Sequence, residues 1–407
     1  MTCLSKMDCF VAMLLAMTGI ALTALPAHAE FEWELEGNIE AELRLFPNDV
    51  EGGMRKDANV SLSIDPIAEL FFGRDHSITI NPYFRIDQND GRRTHFDVRQ
   101  LKWIGVFDNL EVRVGFDKVF WGVTESVHLV DIVNQDDGVE DVDGEDKLGQ
   151  PLVSLSYVTD FGTFTGIIMP YFRERTFPGR DGRPRAPLFV DTKQDFNATG
   201  SNNWHPDFAL RYAHTFSVID LGVSYFDGIS RDPMLLPGVG ETGDPVLIPF
   251  YDKINQIGVD LQATVDAWLL KFEGITVNGR NQDRSWSFGA GFEYTFYQVF
   301  ESDADIGILV EYLWDSRGSA APTPFESDLF FGLRWEGNDE QTTRVLGGVI
   351  FDLDTGTKNV FIEASRRLGD RWRITVDARF SIDVSPTDPT FPFREDDFVQ
   401  VRLARFF

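Results

Sequence analysis

The sequence predicts an all-β chain: a transmembrane antiparallel up-and-down barrel of about eighteen strands, with sixteen as the alternative count. Three observations predict it. Residues 31–45, FEWELEGNIEAELRL, set Phe31, Trp33, Leu35, Gly37, Ile39, Ala41, Leu43 and Leu45 at odd positions and only polar residues between them. Successive side chains of a strand point to opposite faces, so this stretch has one apolar and one polar face. It is much longer than the roughly 5 to 6 residues usual in soluble sheets and suits a tilted bilayer crossing. Long connections fall at every second turn, and the chain closes on alternating apolar residues ending in Phe407.

Taken in order, the chain starts with a secretory signal. Lys6 supplies the positive region, residues 10–25 the apolar run, and Ala27-His28-Ala29 the cleavage motif. Residues 1–29 are therefore expected to be removed and 30–407 to form one barrel domain. The first mature strand is 31–45 and the second 56–72, with Ala58, Val60, Leu62, Ile64, Ala68, Leu70 and Phe72 on one face. The third, 77–88, carries Pro82, which removes a ladder donor. In the fourth, 95–107, alternation slips near Gln100, the mark of a β-bulge. Strands follow at 109–120, 152–160, 162–173, 207–217, 218–228, 253–265, 268–278, 286–298, 303–315, 327–336, 343–353, 358–368, 371–383 and 396–407. The connections 46–55, 121–151, 174–206, 229–252, 316–326 and 384–395 are long, and those between them mostly tight. Short turns at one end and longer loops at the other are the rhythm of a transmembrane barrel.

Composition agrees. Aromatic residues cluster at strand ends, as in Phe71-Phe72, Phe120-Trp121 and Tyr225-Phe226, where a barrel carries its aromatic girdles. Both cysteines, Cys3 and Cys9, lie in the signal, which leaves no mature disulfide, Cys-based zinc site or thiol nucleophile. A net charge of −28 excludes nucleic acid as a partner, because affinity for it rests on Lys and Arg neutralising phosphates. Five histidines remain, His76, His95, His128, His205 and His214, but no HExxH and no GxSxG, so no enzymatic role is expected.

Two loops stand out. Residues 121–151 hold nine carboxylates, Glu125, Asp131, Asp136, Asp137, Glu140, Asp141, Asp143, Glu145 and Asp146, against the single Lys147. An EF-hand register that sets Asp141, Asp143 and Gly144 at its third, fifth and sixth positions puts Val139 first and Gln150 twelfth, and neither can serve. No metal or cofactor is expected, although the 131–146 acids leave room for a loosely held divalent cation; a solvated acidic loop is the plainer reading. The next loop opens with Arg173, Arg175, Arg180, Arg183 and Arg185. Facing each other across a lumen, the two would set up a transverse field; packed together, they would simply pair. Alternation assigns Glu36, Glu40, Asp65, Arg85, Asp87, Arg113, Asp220, Asp260, Glu293, Glu311, Arg334, Asp377, Arg379 and Arg402 to the lumen.

The terminal Val399 to Phe407 segment resembles the C-terminal signature that outer-membrane proteins present to the barrel-assembly machinery, with Arg405 departing from it. Phe120-Trp121-Gly122 through Val130-Asp131-Ile132-Val133-Asn134-Gln135, together with Phe407, resembles uncharacterised porin-like proteins of the Gram-negative outer membrane. That resemblance implies a barrel in contact with outer-membrane lipid and lipopolysaccharide, and admits a homotrimer. In porins the loop after the fifth strand narrows the lumen, so 121–151 is the expected constriction. The expected function is passive diffusion of small hydrophilic solutes, with weak cation preference or little selectivity because lumen acids outnumber bases. The alternatives are a channel for hydrophobic compounds, opening laterally near Pro82 or Gln100, and a plugged structural or assembly barrel.

Overall fold

The computed structural model describes residues 31–49 and 56–407; the predicted signal, 1–29, lies outside them. Eighteen strands form one sheet: β1 (Phe31–Leu45), β2 (Ala58–Phe72), β3 (His76–Asp87), β4 (His95–Phe107), β5 (Leu110–Asp117), β6 (Gln150–Thr159), β7 (Gly162–Met169), β8 (Asp207–Phe216), β9 (Ile219–Ile229), β10 (Lys253–Val265), β11 (Trp268–Gly279), β12 (Ser285–Phe296), β13 (Asp305–Asp315), β14 (Ser327–Glu336), β15 (Arg344–Asp352), β16 (Lys358–Leu368), β17 (Trp372–Ile382) and β18 (Phe398–Phe406). Each pairs antiparallel with its neighbours in sequence. β1 also pairs with β18, from Asn38 opposite Phe406 to Leu45 opposite Val399, so the sheet closes and has no edge along the seam.

Burial is inverted relative to a soluble sheet. Trp33, Leu35, Phe84, Phe96 and Leu210 are exposed, whereas Glu42, Arg44, Asp87, Glu273 and Glu311 are buried. The alternating pattern thus turns its apolar face outward, as lipid contact demands, and its polar face into the lumen. Exposed aromatics ring both ends, with Phe107, Phe161, Phe216, Trp268, Trp335 and Trp372 at the short-turn end and Phe96, Phe208 and Trp286 at the long-loop end. Beyond that second end, Met234–Val239 and Pro245–Tyr251 form a hairpin, joined in parallel by Phe189–Val190 and Phe196–Asn197 into a four-stranded sheet within the long loops.

The bulge lies in β4. Asn81 pairs with Gln100 and Pro82 with Val98, so Arg99 is the extra residue. Pro82, which has no N–H to give, stands beside the break, where its missing donor costs least. Pairing with β4 resumes on both sides, whereas on the other edge of β3 the ladder to β2 is interrupted between Ile64 opposite Phe84 and Ala68 opposite Ile80.

Two strands end earlier than alternation suggests. β5 stops at Asp117 rather than 120, because its continuation turns into the lumen, and β7 stops at Met169 rather than 173. Pro170 supplies no donor there, and Phe172 leaves the wall to pack, fully buried, on Tyr251.

Candidate functional site

The connection from β5 to β6, residues 118–149, lies inside the barrel. Asn134 gathers its two feet: Oδ1 accepts the Val119 N–H at 2.8 Å, and Nδ2 donates to the carbonyls of Asp117 and Leu148, each at 2.8 Å. The apolar residues of the loop, Trp121, Val130, Ile132 and Val133, pack against inward-facing Leu152, Ile167, Met169, Ala209, Phe226, Ile254 and Val277. Burial of a Val or Ile side chain contributes about 1.5–3 kcal/mol, enough over several residues to hold an otherwise acidic segment indoors. Gly122 is required at φ 153°, since a Cβ there would stand 2.9 Å from His128 Nδ1 and 3.1 Å from Glu273 Oε1.

Charged and polar contacts then pin the loop to two regions of wall about half a circumference apart. On the β1–β4 side, Glu140 accepts from Tyr83 Oη at 2.7 Å and pairs with Arg85 at 2.8 Å. Its carbonyl accepts from Arg44 and Arg93, at 3.1 and 3.3 Å. Arg99 lies 2.8 Å from Asp137 and stacks over the Tyr83 ring. These arginines are themselves tied to wall acids, Arg93 to Glu42 at 2.6 Å and to Asp87 at 3.1 Å. On the far side, Glu273 of β11 accepts the N–H groups of Val123, Thr124 and Val130 and the Thr124 hydroxyl, at 2.6 to 3.1 Å. Glu311 of β13 accepts the Glu125 and Ser126 N–H groups, at 2.8 and 2.9 Å. Glu125 in turn pairs with Arg334 of β14 at 2.7 Å and with Lys271 of β11 at 3.3 Å.

Several loop groups titrate away from their ordinary values, His128 and Asp146 among them. Burial disfavours the His128 imidazolium, but its hydrogen bond to Glu145 at 2.8 Å and the Glu273 carboxylate 3.9 Å from Nδ1 outweigh that and push it up to about 10. Asp146 is pushed up to about 6, first by burial and then by Glu140 and Asp141.

No family model and no curated protein matches the chain. Solved structures do. A BenF-like porin from Pseudomonas fluorescens matches over 93% of this chain and 98% of its own, at 10% identity and a TM-score of 0.54. OpdO of Pseudomonas aeruginosa matches over 93% of this chain and 96% of its own, at 8% identity and a TM-score of 0.53. Wzi of Escherichia coli, an outer-membrane protein of group 1 capsule assembly and a carbohydrate-binding β-barrel, matches over 90% and 84%, at 8% identity and a TM-score of 0.51. The chain has the fold of the outer-membrane porins. At these identities the likeness extends to the barrel architecture and no further.

Within this porin-type barrel the acids anticipated for the constriction are distributed as anchors. Asp131 and Asp136 share Lys147, at 3.1 and 2.6 Å, Asp141 lies 3.8 Å from Arg44, Asp143 pairs with Arg379 at 3.1 Å, and Glu145 meets His128 at 2.8 Å. Of the arginine loop, Arg175 reaches this segment, pairing with Asp136 at 3.3 Å, and Arg173 joins wall Asp97 at 2.7 Å. Arg180 pairs with Asp244 and Arg183 with Asp396, both at 2.8 Å, while the Arg185 guanidinium bonds the carbonyls of Arg180, Ala186 and Pro187. Those three serve the long-loop end, so the charges opposing the acidic loop come from the wall arginines together with Arg175 and the loop's own Lys147.

Among the lumen residues, Arg85 and Asp87 are buried in that wall cluster, Arg113 pairs with Glu111 at 2.6 Å, Arg379 bridges Asp143 and Glu363, and Arg402 pairs with Asp377. Glu40 is half-buried and Glu36 exposed, together with Glu32 and Glu34, because β18 pairs with β1 only from Asn38 onward. The seam therefore leaves the lower acidic column open. Sequence reasoning missed Arg93, Arg99, Lys271 and Glu273. Lys271 and Glu273 share the inward parity of β11, and Arg99 sits in the detected slip. Arg93 lies in the short loop Gln88–Thr94, which carries no periodic signal.

Proposed function

We propose that the chain is an outer-membrane channel of Gram-negative bacteria for passive diffusion of small hydrophilic solutes, with a weak preference for cations. The observation that carries this is the inward loop 118–149, held from both walls across an otherwise closed eighteen-stranded barrel, a number that encloses an aqueous lumen. Cation preference rests on the wall arginines being consumed in ion pairs, while Glu32, Glu34 and Glu36 stay exposed at the short-turn mouth. Its apolar belt would meet lipid and lipopolysaccharide, and its Phe407 segment the assembly machinery. Reversal potentials across planar bilayers in a salt gradient test the selectivity; clear chloride preference overturns it. A liposome-swelling series with sugars, amino acids and organic acids ranks the solutes.

The second reading is a plugged barrel, favoured by the number of anchors on the loop and by the four-stranded sheet over the long-loop end. Wzi, a carbohydrate binder with this architecture, fits that reading. Pure refolded protein that shows no single-channel openings would decide for it.

A further inference from the structure

The wall and the inward loop meet at His95, Asp137 and Glu140, whose ligand atoms all lie within 4.8 Å of one another. His95 Nε2 is 3.4 Å from Glu140 Oε1 and 3.9 Å from Asp137 Oδ2. The other ring nitrogen, Nδ1, lies 3.0 Å from the Arg93 carbonyl, an acceptor, so Nδ1 carries the proton and donates it there. In the neutral ring Nε2 is then a bare lone pair, buried without a hydrogen-bond partner and facing two carboxylates. Of these carboxylates, Glu140 already accepts at Oε1 from Arg85 Nε at 3.2 Å. Asp137, fully buried, also leaves Oδ2 outside any hydrogen bond, although Arg99 Nη1 is 2.8 Å away.

We propose that this junction is a binding site for a divalent transition-metal ion of the Zn²⁺ class, which clamps the lumen loop to the barrel wall. A tetrahedral site with metal–ligand bonds near 2.0 Å sets its ligand atoms about 3.3 Å apart, so closing this triad takes only small side-chain shifts. The supporting shell is in place. The Nδ1–H bond to a carbonyl fixes the ring as metal-bound histidines require. Thr176 donates to Asp137 Oδ1 at 2.6 Å and Tyr83 to Glu140 Oε2 at 2.7 Å, so Asp137 Oδ2 and Glu140 Oε1 face His95, the latter shared with Arg85 Nε at 3.2 Å. Arg99 retains the Lys147 carbonyl and the Tyr83 ring if Asp137 is drawn to the metal. One nitrogen and two carboxylates suit Zn²⁺ better than Ca²⁺, which takes six to eight oxygens. The fourth position is left for water.

Calorimetric titration of untagged, EDTA-treated, refolded barrel with Zn²⁺ tests this. One saturable site per chain is expected, with Co²⁺ in its place giving a tetrahedral visible spectrum. His95→Gln should weaken binding at least about 100-fold and abolish the Co²⁺ bands. Heat-modifiable electrophoretic mobility shows that each variant is a closed barrel; if Asp137→Asn does not fold, His95→Gln alone decides, since that side chain is partly exposed. Absence of saturable binding in the native protein, or equal binding in His95→Gln, overturns the proposal. Neither readout requires conduction, so failure here leaves the channel reading untouched.

Discussion

At the residue scale, the loop is held by a few buried groups that each serve several donors. Glu273 is the clearest case, taking three backbone N–H groups and a hydroxyl of the loop on one carboxylate. Glu273→Ala would strand these donors against an apolar wall. A loss of about 3 kcal/mol in urea unfolding from vesicles is expected, the range for breaking a buried charged network, whereas Glu32→Ala at the exposed mouth should change little. His128 adds a pH dependence. Its folded pKa of about 10 lies above the ordinary value of 6.5, so the stabilisation it supplies is complete below about pH 6.5 and lost as pH rises through about 10. The stability gap between the native protein and His128→Gln should therefore be widest at pH 6 and close by pH 10.5, and a gap independent of pH would remove the imidazolium from this role.

At the element scale, the strands were legible and the loop's path was not, for one physical reason. Lipid outside and water inside impose opposite demands on alternate residues, so periodicity two is written into each strand, down to the slip that marks Arg99. Val130, Ile132 and Val133 gave a fainter hint, an apolar cluster within an acidic loop, but which wall it would reach depends on contacts far apart in sequence, such as Glu125 with Arg334. Periodicity is silent on those, as it is on Arg93 in its short loop. The bulge allows a sharp test. Deleting Arg99 brings Asp97, Val98, Gln100 and Leu101 into regular in–out alternation opposite Tyr83, Pro82, Asn81 and Ile80, so the strand should still fold and show heat-modifiable mobility. The loop would lose the Arg99 contacts with Asp137 and the Lys147 carbonyl, and open-channel current noise should rise. A variant that fails to close would show that the bulge shapes the barrel rather than positioning one side chain.

At the scale of the whole molecule, closure and constriction are separable. Closure is carried by ladders: β1 with β18 over Asn38–Leu45, and each strand with its sequence neighbours. Constriction is carried by a segment whose two ends are already adjacent, because Asp117 and Gln150 are paired neighbours in β5 and β6. Replacing residues 119–148 by a short Gly-Asn turn should therefore leave the ladders intact. The wall arginines Arg85 and Arg93 keep Glu42 as a partner and so are not left unpaired in the lumen. Apolar wall residues such as Leu152, Ile167 and Met169 would face water instead of the loop, which costs stability but does not unpair a strand. Single-channel conductance of this variant should rise several-fold over the native protein, in proportion to the lumen area that the loop occupies. If the native barrel is silent and the variant conducts, the loop is a plug; if both conduct alike, the narrowing lies elsewhere, and the four-stranded sheet at the long-loop end becomes the element to remove next.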